Sequence, residues 1–233
     1  MSVDLIVFGP HPDDLEIGLG GTIARETAAG RTVGLCDLTA GELGTNGTPE
    51  VRREEAATAA DVLGAAWREC LGWPDGDLTQ TDERVASAVD LIRRHQPRTV
   101  AIPYWHDRHP DHGAACRTLE VAAFRSGLAR VDTGIAPWRP DWVCYYFIND
   151  SEKPSFVVDV SATYDKKQAA LDCYRSQFAP TGPEAAETRL TAPTFRQLIE
   201  SRDAQFGALL GVAWAEGVVV RQPVERASLL RHA

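Results

Sequence analysis

Neither a block of basic residues nor a long apolar run occurs anywhere in the 233 residues. The formal net charge is -9, from 24 Lys and Arg against 33 Asp and Glu. Attraction across the whole surface to nucleic acid or to an anionic membrane therefore has the wrong sign, although a local basic pocket stays open. The start, "MSVDLIVFG", has no basic region ahead of its apolar stretch, carries Asp4 inside it and leads into no segment of spanning length. It reads as neither signal peptide nor membrane anchor, and the expected location is the cytoplasm. Paired cysteines are missing as well. Cys36, Cys70, Cys116, Cys144 and Cys173 are odd in number, scattered and without a CxxC pair, the usage of reduced cysteines in a reducing compartment. No internal repeat or low-complexity linker divides the chain, and 44% hydrophobic residues over this length suffice for one core, so a single domain over residues 1–233 is expected.

What is present alternates strand-like and helix-like segments. Val3 to Phe8 is an apolar run of strand length, Gly18 to Gly30 has helical spacing through Leu19, Ile23 and Ala24, and "RTVGLCDL" from Arg31 is again strand-like. Strand, helix and strand in so short a span imply a parallel pair. The alternation continues with a helix over Glu50 to Leu63, a short strand over Arg68 to Leu71, an amphipathic helix over Asp82 to His95 and a buried strand in "RTVAIPY" from Arg98. A helix from Asp111 to Gly127 follows, then strands in "DWVCYYFI" and "SFVVDVS" and helices over Tyr164 to Tyr174 and Thr194 to Leu210. Residues 180–193 between those helices read as an exposed loop or flap. The pattern predicts an α/β fold, a Rossmann-like three-layer sandwich with a mostly parallel sheet and its active site at the carboxyl ends of the strands.

Two short motifs fall at such strand ends: "HPDD", with His11, Asp13 and Asp14, and "HPDH", with His109, Asp111 and His112. One His-Pro-Asp alone is ordinary turn composition. Two of them after different strands supply enough imidazole and carboxylate for a catalytic zinc site of three protein ligands and an open fourth position. Spacing of three lets a single turn bring His11 and Asp14 to one side, and does the same for His109 and His112 around Pro110. It does not choose the ligand within the second motif. Gly18, Gly20 and Gly21 superficially suggest a dinucleotide fingerprint, but the carboxylates before them would repel a pyrophosphate; close packing of helix and sheet is the better reading.

The combination of "GPHPDDLEIGLGGTIA", "LTAGELGTNGTPEVRREEAATAADVLGA", "PYWHDRHPDHG" and the late "GVAWAEG" resembles the LmbE and PIG-L family of zinc-dependent N-acetylglucosamine deacetylases. Among its branches the chain looks closest to the bacillithiol-pathway enzymes that act on N-acetylglucosaminyl malate. The resemblance implies one Zn2+ held by His11, Asp14 and His112, with Asp13 as general base and a protonated His109 assisting the tetrahedral intermediate. It places Arg52 at the active-site mouth, where it would meet a substrate carboxylate, and Arg108 just before the second motif. Glu42 and Asn46, in the loop after the second strand, are possible partners of sugar hydroxyls. Relatives are often oligomeric, hexamers included, so a homo-oligomer is implied. One departure concerns the tyrosine that some relatives place near the start of the last long helix: its position here is Phe195, and Tyr104 is the candidate replacement.

Bland readings stand beside these. Asp13 is also what a helix N-terminus favours. Arg52 and Arg53 also suit a surface salt bridge with the acidic residues after them. His95 reads as a solvated helix-end residue, His106 as a surface-loop residue and His232 as part of a disordered terminus; Trp138 and Trp142 suit either core or interface. Rival functions are a deacetylase of an inositol conjugate or chitooligosaccharide, and a metal-binding protein without catalysis. The last has no need of Asp13 and His109 beside three ligands.

Overall fold

A computed structural model describes residues 2–225; His232 lies outside them. Among the described residues a seven-stranded sheet forms in the order β3-β2-β1-β4-β5-β7-β6. The strands are β1 (Leu5–Gly9), β2 (Val33–Asp37), β3 (Trp67–Cys70), β4 (Thr99–Pro103), β5 (Trp142–Tyr146), β6 (Phe156–Asp159) and β7 (Ala215–Val219). The first five are mutually parallel, and β7 is antiparallel to both β5 and β6. Parallel strands buried on both faces feed two cores in alternation. Ile6, Phe8, Cys36, Leu38, Val100 and Ile102 pack into one of them; Val7, Leu35, Val33 and Ala101 pack into the other.

Helices cover both faces. On one side α3 (Asp82–His95) and α4 (Pro110–Ser126) contribute Val85, Val89, Ile92, Ala115 and Leu119. On the other α1 (Asp14–Ala28), α2 (Pro49–Leu63) and α5 (Tyr164–Asp172) contribute Ile17, Ile23, Ala56, Leu63 and Leu171. Short α6 (Arg175–Phe178) leads toward α7 (Pro193–Leu210), which gives Ile199 to one core and Phe206 to the other. The three-layer expectation therefore holds. Local signals account for the helix ends: Thr48 and Thr81 accept from Val51 and Arg84 amides at the starts of α2 and α3, and Gly64 follows α2 with φ 75°.

Three expectations need correction. α1 begins at Asp14, four residues before the predicted Gly18, and is broken at Leu19 (φ -133°, ψ 17°). The glycine run suits this close approach, since a Cβ at Gly18 would lie 2.2 Å from the Tyr146 ring. β7 is a strand that periodicity missed, because Glu216 and Gly217 interrupt its apolar residues; Glu216 is nevertheless fully buried against the Lys167 ammonium. His95 is at the end of α3 as expected but is not simply solvated: it stacks on Trp67 at 4.0 Å and its Nε2 lies 2.7 Å from Glu69. His106 is exposed beside Glu152. Trp138 donates to the Pro97 carbonyl and packs on the core, whereas half-buried Trp142 stacks on Phe156.

The chain order places the site. It runs from β1 outward through β2 to β3, then returns to the other side of β1 as β4. The loops after β1 and β4 thus diverge from adjacent strands, the crevice where open α/β sheets collect ligands. "HPDD" is the first of those loops and "HPDH" the second.

Candidate active site

Both motifs reach one point. Asp14 opens α1, and Asp13 sits at its N-cap position with φ 112° and ψ -28°. A side-chain-bearing residue pays roughly 1–3 kcal/mol for such a conformation, a strain that concentrates at functional sites. Asp13 makes no side-chain cap, so the bland helix-start reading does not describe it. In the second loop Pro110 occupies the first turn of α4, and the His109 side chain caps that helix by accepting from the Asp111 amide.

Among the described residues, two groups of side chains bring three ligand atoms within 4.8 Å of one another: His11, Asp14 and His112, and His11, His109 and Asp111. The ring nitrogens distinguish them. His11 Nδ1 lies 3.0 Å and His112 Nε2 3.3 Å from the same oxygen, Asp14 Oδ2. The outer nitrogens face carboxylates: His11 Nε2 is 3.1 Å from Asp75 and 3.2 Å from Asp111, and His112 Nδ1 is 3.0 Å from Asp107. A ligating imidazole backed by a carboxylate on its other nitrogen is fixed in orientation and made a stronger donor. The buried set of two imidazoles and one carboxylate therefore fits a divalent cation with an open coordination position. The Asp107 contact is close but oblique to the ring N–H, and His112 Nδ1 has no better-aligned partner among the described residues.

Charge tells the same story. Burial alone would lower the pKa of His11, but hydrogen bonds to Asp111, Asp14 and Asp75 outweigh it and raise the value well above normal. For His112 burial is likewise outweighed, by Asp14 and Asp107, and its pKa rises to about 9. Burial would raise Asp14, yet His112 and His11 hold it far below the carboxylate range. The positive charge that protons supply at these imidazoles is the charge a metal ion would supply. Asp13 differs: burial, opposed by Arg52 and reinforced by Asp14, pushes it up to about 7. The pKa of His109 is lowered by burial and then by its neighbours His112 and His11. Its Nδ1 accepts from the Asp111 amide at 3.3 Å, so the proton of the neutral ring belongs on Nε2, still able to donate.

Arg52 is buried, which rules out the surface salt bridge. Its guanidinium donates to the Gly41 and Pro12 carbonyls at 3.1 and 2.6 Å, and to Asp13 at 3.4 Å. The carboxylate it faces is thus that of Asp13. Only glycine fits at 41, where φ is 69° and a Cβ would lie 1.9 Å from the guanidinium. Arg53 is exposed.

A cavity of about 380 Å³ opens over these groups, lined by His11, Asp13, Asp14, Arg52, His109 and His112, with Arg108, Arg189, Leu190 and Phe195 around them. A larger cleft of about 570 Å³ between α1 and Trp142 and Phe156 contains no residue of "HPDD" or "HPDH", and the chemistry belongs to the smaller one. Glu42 and Asn46 do not line it. Glu42 accepts from the Asp75 amide, holding the Asp75 turn. The Asn46 side chain exchanges two 2.9 Å hydrogen bonds with the Ala186 backbone, pinning the 180–193 loop so that Thr188, Arg189 and Leu190 form a wall. Phe195 is buried in the first turn of α7, beneath the Arg189 guanidinium. Tyr104 does not replace the missing hydroxyl: it donates to Glu152 at 2.8 Å, away from the cavity.

Sequence reasoning passed over Asp75, Asp107 and Arg189. Asp75 in "WPDGD" and Arg189 in the flap carry no signal, but Asp107 stands two residues before His109 inside a quoted motif. Asp107→Asn is expected to weaken metal binding by roughly 10–100-fold, because the amide lacks the charge that orients His112. A zinc titration against a competing chelator reads this directly, and unchanged affinity would show that the oblique contact does not serve the site.

Fold and site together define an α/β protein with a buried His-Asp-His group that could hold a metal ion, a carboxylate that caps no helix beside it and a cavity of about 380 Å³ above. Residues 6–124, which include both motifs, match the family described as PIG-L, GlcNAc-PI de-N-acetylase. The chain belongs to this family. It is 32% identical to the diacetylchitobiose deacetylase of Thermococcus kodakarensis, over 92% of this chain and 81% of that protein. It is 29% identical to a probable N-acetyl-alpha-D-glucosaminyl L-malate deacetylase of Bacillus cereus, over 74% and 82%. The crystal structure of a conserved protein from Thermus thermophilus superposes with a TM-score of 0.89 at 39% identity, covering 98% of this chain and 99% of that one. Relatives named for different sugars are thus similarly distant, and the coarser assignment, the family itself, replaces the expected branch.

Proposed function

We propose that this protein hydrolyses the acetamide of an N-acetylglucosaminide, with zinc held by His11, Asp14 and His112, and that its substrate is the malate conjugate. The observation that carries the hydrolytic reading is Asp13, a buried carboxylate strained into the cavity beside the ligand trio and not used as a helix cap. Zinc bound there would activate water and polarise the acetyl carbonyl. Asp13 takes the proton from the attacking water, with Arg52 fixing its orientation. His109 turns its Nε2–H to the oxygen that gains charge, and the proton held on Asp13 passes to the departing amine, giving free amine and acetate.

The malate reading is supported by two exposed guanidinium groups on the wall, Arg108 and Arg189. A chitooligosaccharide offers them no carboxylate, whereas malate does. Metal-loaded protein is to be assayed on N-acetylglucosaminyl malate, the inositol conjugate, diacetylchitobiose and N-acetylglucosamine. Highest kcat/KM is expected for the malate conjugate, and Arg189→Ala should lower it about tenfold, the scale of one charge-assisted hydrogen bond, with no such loss on chitobiose. Preference for chitobiose would end the malate reading; no deacetylation of any of the four would end the hydrolytic one.

A further inference from the structure

The motif "GVAWAEG" and the long helix before it are not used by the chemistry above, yet they hold a dense buried charge network. Lys167, Asp203 and Glu216 are each 0% exposed. Lys167 Nζ donates to Asp203 at 2.7 Å and to Glu216 at 2.6 Å. Glu216 in turn accepts from the Gly21 and Thr22 amides at 2.9 and 2.7 Å, just beyond the break in α1 at Leu19. Asp203 accepts from Arg202 Nε at 3.0 Å.

Arg202 is where this network meets the site. One terminal nitrogen donates to the Ile17 carbonyl at 2.6 Å, just before the same break. The Ile17 amide is itself bonded to the Asp13 carbonyl at 2.9 Å. The other terminal nitrogen donates to the carbonyls of Ile148 at 2.7 Å and Phe147 at 3.2 Å, just past the end of β5. The next residue, Asn149, donates its amide and side chain to Asp107 at 2.9 and 3.0 Å, and Asp107 accepts from the His109 amide and faces His112. One planar fork therefore has an arm on each half of the site.

We infer that Arg202 is a positioning residue that sets the spacing between the Asp13–Asp14 loop and the His109–His112 loop. The break in α1 belongs to the same device: it turns the Ile17 carbonyl to the guanidinium while Glu216 takes up the amides beyond. A lysine keeps the charge but has a single tip and cannot hold both arms. The inference rests on the reading that the two loops share one metal.

The test uses metal-free protein, so turnover is not needed. Wild type, Arg202→Lys, Asp203→Asn and Arg93→Lys are titrated with Co2+ by visible absorption and with Zn2+ against a chelator. Thermal melts are recorded in parallel. Arg93 is the control, another buried arginine, which holds the carbonyls of Ser126, Leu128, Val131 and Ile135, none of which lines the cavity. Arg202→Lys is expected to bind metal roughly 10–100-fold more weakly, with a changed cobalt spectrum, as for lost support behind metal ligands. Asp203→Asn, which loosens the anchor of Arg202, should move both readings the same way by less. Arg93→Lys should lower Tm and leave both unchanged. Wild-type affinity and spectrum in Arg202→Lys would overturn the inference, and in Asp203→Asn would do so if the first variant does not fold. A wild type that binds no metal would instead overturn the metal reading on which it rests.

Discussion

Asp13→Asn is expected to lower turnover by roughly 10²–10⁴-fold, the range for loss of a general base, while fold and metal content remain. Asparagine is close in size and tolerates positive φ, so it preserves the backbone at φ 112° and can still accept from Arg52. It cannot take a proton from water. Asp14, the oxygen at which both imidazoles meet, is untouched, so the metal stays. Metal analysis of the purified variant, read beside single-turnover deacetylation, separates the two adjacent carboxylates. Loss of metal in Asp13→Asn with metal retained in Asp14→Asn would reverse the assignment.

Lys167→Met is expected to be the most destabilising single change. It keeps much of the volume but leaves Glu216 and Asp203 buried without their shared cation. Breaking one partner of a buried ion pair costs about 3–5 kcal/mol. For a chain of this size each kcal/mol shifts Tm by about 2–4 °C, so a fall on the order of 10 °C should appear in a thermal melt. Glu216→Gln made in the Lys167→Met background removes the orphaned charge and should recover part of the loss, since the amide oxygen still accepts from the α1 amides. An additive or worse double variant would show that Lys167 acts through packing rather than through charge.

His11, Asp14 and His112 converge because strand and helix periodicity places their loops after β1 and β4, and the adjacency of those strands is a property of the fold class. That much is legible in the sequence. The spacing of three sets Asp14, not Asp13, on the side of His11, but the roles of ligand and base come only from the family resemblance. The structure adds the physical distinction: one is turned to the imidazoles, the other is held out at positive φ without a cap. Glu42 and Asn46 show the limit from the other side. Polar residues in a loop near a strand end look like ligand contacts, yet both are consumed by backbone groups of distant loops.

By itself the sequence determined the fold class, the two strand-end motifs and the donor types available, because these rest on periodicity and on chemistry carried within a few residues. Only the tertiary structure decided which nitrogen of each histidine faces the site and which is backed by Asp75, Asp111 or Asp107. It likewise decided that Arg52 meets Asp13, and that a strand interrupted by a glutamate is stable because Lys167 lies against it. Those outcomes depend on partners far apart in the chain, where burial makes each unpaired charge costly enough to select its partner.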